Sequence, residues 1–231
     1  MRKMKIEFLL PPESKETKYP PQPAKNFIPK KYKDLDGYTN DDLRAPTVKQ
    51  CIPFLDAMTN GYIIPFHQDY LITVDYNKKE WDVRANFYSP RAHGSQQLPD
   101  KYQDGQKPVG KFANKWTIKT PLGYSCLFVH PMNVPKTDFE IIPGIIDTDI
   151  YDDAVLFPYY FRRYDGGSKE NVQIHIKTGD PMVQVIPFKR EKWKSCSGST
   201  KNKNYAKLRD KWAGQMLNIY KKFYWRKKNY D

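Results

Sequence analysis

Cysteine is scarce in this chain of 231 residues: three in all, Cys51, Cys126 and Cys196, with no C-x-x-C pair. An odd count without that spacing indicates neither a disulfide framework nor a structural zinc site, and a reducing compartment is the simpler expectation. Long apolar runs are missing too. Nothing approaches the roughly 18 consecutive apolar residues of a membrane span. The N-terminal IEFLL is too short for the apolar core of a signal peptide, and it carries Glu7. A soluble, non-secreted protein is therefore expected. The chain has no glycine-rich phosphate loop and no G-x-S-x-G elbow. In GYSCLF at 123–128, Ser125 and Cys126 lie within a strand-like stretch, where Cys126 reads as a small core residue. Asp165-Gly166-Gly167 reads as a hairpin turn. No internal repeat is found.

Aromatic residues fill the space that aliphatics leave: they make up 15% of the chain, 17 of them tyrosines. Such a content is too high for general disorder and can build a core from few, large side chains. Nineteen prolines against 12 glycines favour short strands punctuated by rigid turns. Residues 1–46 read as an extended, proline-rich arm that opens on a possible edge strand in MKIEFLL. Residues 47–192 read as the main domain. It begins with a short helix in which Thr47 is the N-cap, Ile52, Leu55 and Met58 share a face, and Asn60-Gly61 is the stop; Pro53 must fall in its first turn. From Gly61 onward the pattern turns to strands, about eight of them at roughly ten-residue spacing, which means a sandwich or barrel. The expected fold is mainly β: a jelly-roll or cupin-like double-sheet sandwich with a short N-terminal helix and a C-terminal amphipathic helix.

The net charge of +13 is unevenly placed. From Lys189 to Asp231 there are 14 Lys and Arg against 3 Asp and Glu, so the excess belongs almost wholly to the last fifth of the chain. Residues 193–231 read as a basic connector followed by a helix, with Tyr205, Leu208, Trp212, Ile219 and Phe223 tracing one apolar face. On the other face Lys207, Arg209, Lys211, Lys221, Lys222, Arg226, Lys227 and Lys228, together with Trp225, could grip a phosphate backbone and stack on bases. The same helix could lie on an acidic protein or membrane surface, or dock its apolar stripe on the sandwich with its lysines in water.

Two groups of residues could carry chemistry. PGIIDTDIYDD at 143–153 holds Asp147, Asp149, Asp152 and Asp153. On a strand, Asp147 and Asp149 would share one side about 7 Å apart, a spacing for a pair of catalytic carboxylates or a hard cation. The glycine and bidentate glutamate of a calcium loop are missing, and a solvated strand ending in an Asp-rich turn accounts for the pattern more simply. No catalytic residue is assigned; Asp147 and Asp149 are the pair to watch. Among the histidines, His67, His93, His130 and His175, the first stands in an H-x-D with Asp69. With His175 or His130 it could complete the facial triad of a non-haem Fe(II) oxygenase, with Arg190 receiving a 2-oxoacid co-substrate. The alternative is isolated histidines on polar faces.

The segments CIPFLDAMTNGYIIP, KWTIKTPLGYSCLFVHPMN, GIIDTD and GDPMVQVIPFKRE, in that order, resemble a family defined as a domain of unknown function. It occurs in bacteria and in hypothetical proteins of T-even-like marine phages (cyanophages). The likeness runs from PAKNFIPKKY to FKREKWK and stops short of the C-terminal helix. It assigns no catalytic residue. It implies a phage-borne protein with a compact β core, made in the host cytoplasm and retained there or built into the virion. The leading expectation is thus a non-enzymatic binding or structural protein, a virion component or host-interaction factor with protein partners or self-assembly. The cupin-type Fe(II)/2-oxoacid oxygenase and a nucleic-acid-binding module are the alternatives.

Overall fold

The structure, a computed structural model, describes residues 4–14, 17–75, 80–85, 91–92, 109–135, 138–161, 171–199 and 220–231. The entry arm is stitched to the body. Strand β1 (Glu7–Leu9) pairs with β8 (Thr117–Lys119), and β2 (Gln22–Pro23) pairs with β3 (Tyr62–Pro65). A 3-10 turn (Ala24–Phe27) and helix α1 (Lys30–Lys33) follow β2. The expected helix is present but divided. Thr47 Oγ1 caps a 3-10 turn (Val48–Gln50) by accepting from Lys49 N at 3.3 Å. Helix α2 (Ile52–Thr59) then starts with Pro53 in its first turn, where the missing N–H costs nothing. Gly61 ends the connection at φ +70°, and a Cβ there would stand 2.0 Å from Val185 O.

The remaining strands are β4 (Tyr70–Asp75), β5 (Glu80–Ala85), β6 (Arg91–Ala92), β7 (Val109–Phe112), β9 (Tyr124–Val129), β10 (Phe139–Ile141), β11 (Gly144–Ile146), β12 (Phe157–Phe161), β13 (Asn171–Ile176) and β14 (Pro181–Lys189). They form four antiparallel sheets, ordered β1-β8, β10-β12-β7-β6, β11-β9-β14-β3-β2 and β13-β4-β5. The fourteen described strands exceed the eight expected because apparent single runs break. YIIPFHQDYLITVDY, for one, leaves the five-stranded sheet after Pro65, bends through His67 and Gln68, and joins the three-stranded sheet at Tyr70.

All four sheets turn their apolar faces to one core, a β-sandwich-like arrangement. Tyr70, Ile72 and Val74 of β4 are buried while Leu71, Thr73 and Asp75 are only half-buried, the period-two signature of a strand with one covered face. The centre is aromatic: Phe112 stacks on Tyr159 at 3.7 Å, and Phe66 and Phe139 meet Phe112 edge-on at 4.9 and 5.3 Å. Such geometries add about 0.5–1.5 kcal/mol per pair beyond burial. Gln184 of β14 faces away from that core, opposite to Val183 and Val185, and is fully buried under α2 yet satisfied. Its Nε2 donates to Ala57 O (2.9 Å) and Asn60 O (2.6 Å), and its Oε1 accepts from Met132 N (2.9 Å), which fixes α2 to the sheet. Among the described residues no helix is long and apolar enough to cross a membrane.

Candidate functional site

Asp147 and Asp149 do not stand on a strand, where the sequence suggests them, whereas Asp152 and Asp153 do lie beyond the strand. Strand β11 ends at Ile146, and Asp147 opens a turn in which its carbonyl accepts from Ile150 N (3.1 Å) and Tyr151 N (3.0 Å). The turn still brings Asp147 and Asp149 to one place, around Arg190 at the end of β14. The guanidinium donates to both Asp149 oxygens, to Tyr124 O (3.0 Å) and to Ser125 Oγ (2.9 Å), and it lies 3.1 Å from Asp147 Oδ1. Ser125 Oγ donates to Asp147 Oδ1 (2.6 Å), and Gly123 N donates to Asp149 Oδ2 (2.8 Å). The Asp149 side chain is fully covered. Its bidentate bond from Arg190, helped by the Gly123 N–H, holds its carboxyl down at about 2. A carboxylate so neutralised is no general base near neutral pH, and Ser125 has an Asp and an Arg beside it but, among the described residues, no imidazole to take its proton. The constellation is a clasp joining the 147–149 turn to the end of β14. It also occupies Arg190, so that side chain is not the free co-substrate anchor anticipated. Asp152 pairs with Lys119 and is otherwise exposed, and Asp153 caps its own turn by accepting from Ala154 N (2.6 Å).

The three expected iron ligands are not assembled either. Asp69 accepts from Thr178 N (2.6 Å) and Thr178 Oγ1 (2.7 Å), bonds that lower its pKa, in the Thr178 side chain's case most strongly. It and exposed His175 line a shallow hollow of about 590 Å³ on the outer face of the three-stranded sheet, with Leu71, Arg84 and Lys177. His67 faces a different cavity. The break between β3 and β4, which no alternation pattern reveals, sends the two ends of the H-x-D apart. Among the described residues no three His, Cys, Asp or Glu side chains cluster closely enough to hold a metal ion. His130 accepts weakly from Ile141 N through Nδ1 (3.4 Å) and packs edge-on against Phe139; His93 lies outside the described residues.

The cavity beside His67, about 990 Å³, exceeds the hollow at Asp69 and His175, and it was not foreseen. Its apolar wall comes from the β11 edge and the segment before β12: Ile145, Ile146, Tyr151, Val155 and Leu156. Glu13, Lys115 and Asp153 supply charge around it. Ile145, Tyr151 and Leu156 remain 62%, 41% and 49% exposed, a gathering of large apolar side chains at the surface. His67 is half-buried, and its Nε2 has no hydrogen-bond partner among the described residues. Burial, then the neighbouring Lys115 charge, lowers its pKa to about 4, so it is a neutral ring at the groove wall under physiological conditions. The sequence signal was present in the spaced apolar residues of GIIDTDIYDDAVLF, masked by the aspartates among them.

Of the residues expected to grip a polyanion, Lys207, Arg209 and Lys211 lie outside the described residues. So does most of the expected C-terminal helix; Tyr220–Tyr224 form a single π-helical turn. Lys221, Lys222, Arg226 and Lys227 are exposed. Trp225 and Lys228 are instead bound to this chain's own α2: Trp225 Nε1 donates to both Asp56 oxygens (3.1 and 2.9 Å), and Lys228 pairs with the same carboxylate. Tyr230 meets Tyr62 edge-on at 5.8 Å and Asp231 pairs with Lys25 at 3.1 Å, so residues 225–231 fold back across α2 and β3.

The fold is that of a β-sandwich-like protein with an open, largely apolar groove at its surface. Comparison of the chain with protein-family models, with curated proteins and with solved structures returns no match.

Proposed function

We propose that this is a non-enzymatic binding or structural protein, built on a jelly-roll- or cupin-like sandwich, that holds a protein partner in the groove beside β11. The observation that carries the reading is the contrast between two neighbouring features. The polar groups that could have done chemistry are spent on one another in the Arg190 clasp, while large apolar side chains stay open to solvent next to it. Exposed apolar patches rimmed by polar residues mark interaction surfaces. The resemblance of the ordered segments to a phage-borne family extends the proposal to a virion component or host-interaction factor, made in the host cytoplasm. An Fe(II)/2-oxoacid oxygenase is disfavoured because His67 and the Asp69–His175 pair face separate cavities. A nucleic-acid module is disfavoured at Trp225 and Lys228 because both are engaged by Asp56.

The test places a photo-crosslinking benzoylphenylalanine at Leu156, half-exposed on the groove wall, and irradiates the expressing cell. The expected product is a covalent adduct with a polypeptide, identified by mass spectrometry and lost when Ile145→Asp is added. No adduct, or turnover of a small molecule by the purified protein, overturns the reading.

A further inference from the structure

Beyond the clasp, residues 191–199 run as an exposed arm without strand or helix. It carries Trp193, 87% exposed and the most exposed of the large hydrophobic residues described. A solvated leucine is ordinary, but a tryptophan left almost wholly in water between Lys192 and Lys194 is the composition of an interface anchor. The groove offers what this anchor lacks: an apolar wall of Ile145, Tyr151 and Leu156, with Glu13 and Asp153 at hand for the flanking lysines against the single cation Lys115. The root of the arm is also fixed beside the groove. Arg190 is bound to Asp147 and Asp149, the residues that directly follow the Ile145-Ile146 edge. Three residues carry Trp193 no more than about 10 Å from that root. Within a single chain the indole nevertheless stays out of the groove.

We propose that two copies of this protein exchange these arms, Trp193 of each seated in the apolar groove of the other. The proposal rests on the reading of the groove as a binding surface and names its occupant. Because root and groove are neighbours, a two-fold axis close to the clasp sends each arm onto the other copy's groove. The contact is then reciprocal and closes at a dimer instead of running on into a filament.

Light scattering on a size-exclusion column, over a protein concentration series, tests this with two variants and their mixture. The wild type is expected to run as a dimer. Trp193→Ala and Leu156→Arg should each weaken dimerisation about 30-fold or more, with unchanged circular dichroism. Mixed in equal amounts they should associate again, since the first variant keeps its groove and the second keeps its arm. A wild type that stays monomeric, a dimer indifferent to both substitutions, or a mixture that stays apart overturns the exchange. The crosslink at position 156 separates the two readings. An adduct to residues 191–199 of a second copy is the expected result. An adduct to another protein, or within one monomer, sinks the exchange but not the groove, and no adduct at all sinks both.

Discussion

His67 illustrates how little a residue's type says before its surroundings are known. An imidazole ordinarily titrates near 6.5, but here burial and Lys115 lower the value to about 4. The folded state therefore holds fewer protons than the unfolded one between those values. The neutral ring's contribution is complete above about pH 6.5 and is lost as pH falls toward 4. Denaturant midpoints measured from pH 7.5 down to 4.5 should fall, and His67→Gln should flatten that fall; an identical slope in the variant would refute the assignment. The Asp147–Asp149 pair was legible as two carboxylates on one side. Its partner was not: Arg190 lies 41 residues from Asp149, and only the meeting of β9, β11 and β14 brings them together. Spacing rules read contacts within an element, and they are silent on charges that meet across a sheet.

At the scale of elements, most strands were visible because their residues are β-branched or aromatic and their faces alternate. The stop after α2 was visible as Asn60-Gly61. What could not be read was the depth of that glycine's constraint. Gly61 combines a left-handed backbone with a neighbouring carbonyl where a side chain would go, whereas Gly123 has φ +86° and open space around it. Gly61→Ala should cost about 2–4 kcal/mol, strain plus steric repulsion, and Gly123→Ala about 1 kcal/mol, strain alone. Equal losses in urea melts of the two variants would contradict the close approach to Val185. Gln184 was equally hidden. In MVQVIPF the glutamine does point away from the core, but α2 and the turn after β9 cover that face, and three of their backbone groups, away from water, find their partner in it.

Over the whole molecule, the charge asymmetry left open whether the basic tail binds a polyanion or docks on the sandwich, and residues 225–231 lie on the body. The final residues lie over α2 because Asp56 offers one carboxylate to both an indole N–H and an ammonium group. Asp56→Ala should release residues 225–231, raising amide exchange there at least tenfold while the strands keep their protection. The global loss should be only about 1–2 kcal/mol, the worth of hydrogen bonds to a charged group. Unchanged exchange in the tail would mean that Tyr230 and Asp231 hold it without Asp56. The clasp has a consequence of another kind, a mechanical one. A pull on the 191–199 arm enters the body at Arg190, whose side chain is tied to the 147–149 turn and whose N–H is bonded to Gly123 O at 2.8 Å. From there it runs into β14, the middle strand of five, held by β9 over Gln184–Lys189 and by β3 over Pro181–Val185. Tension along that axis loads two ladders in shear in turn, first the one to β9 and then the one to β3. Force applied to the arm therefore meets the sheet along the strand and not across it.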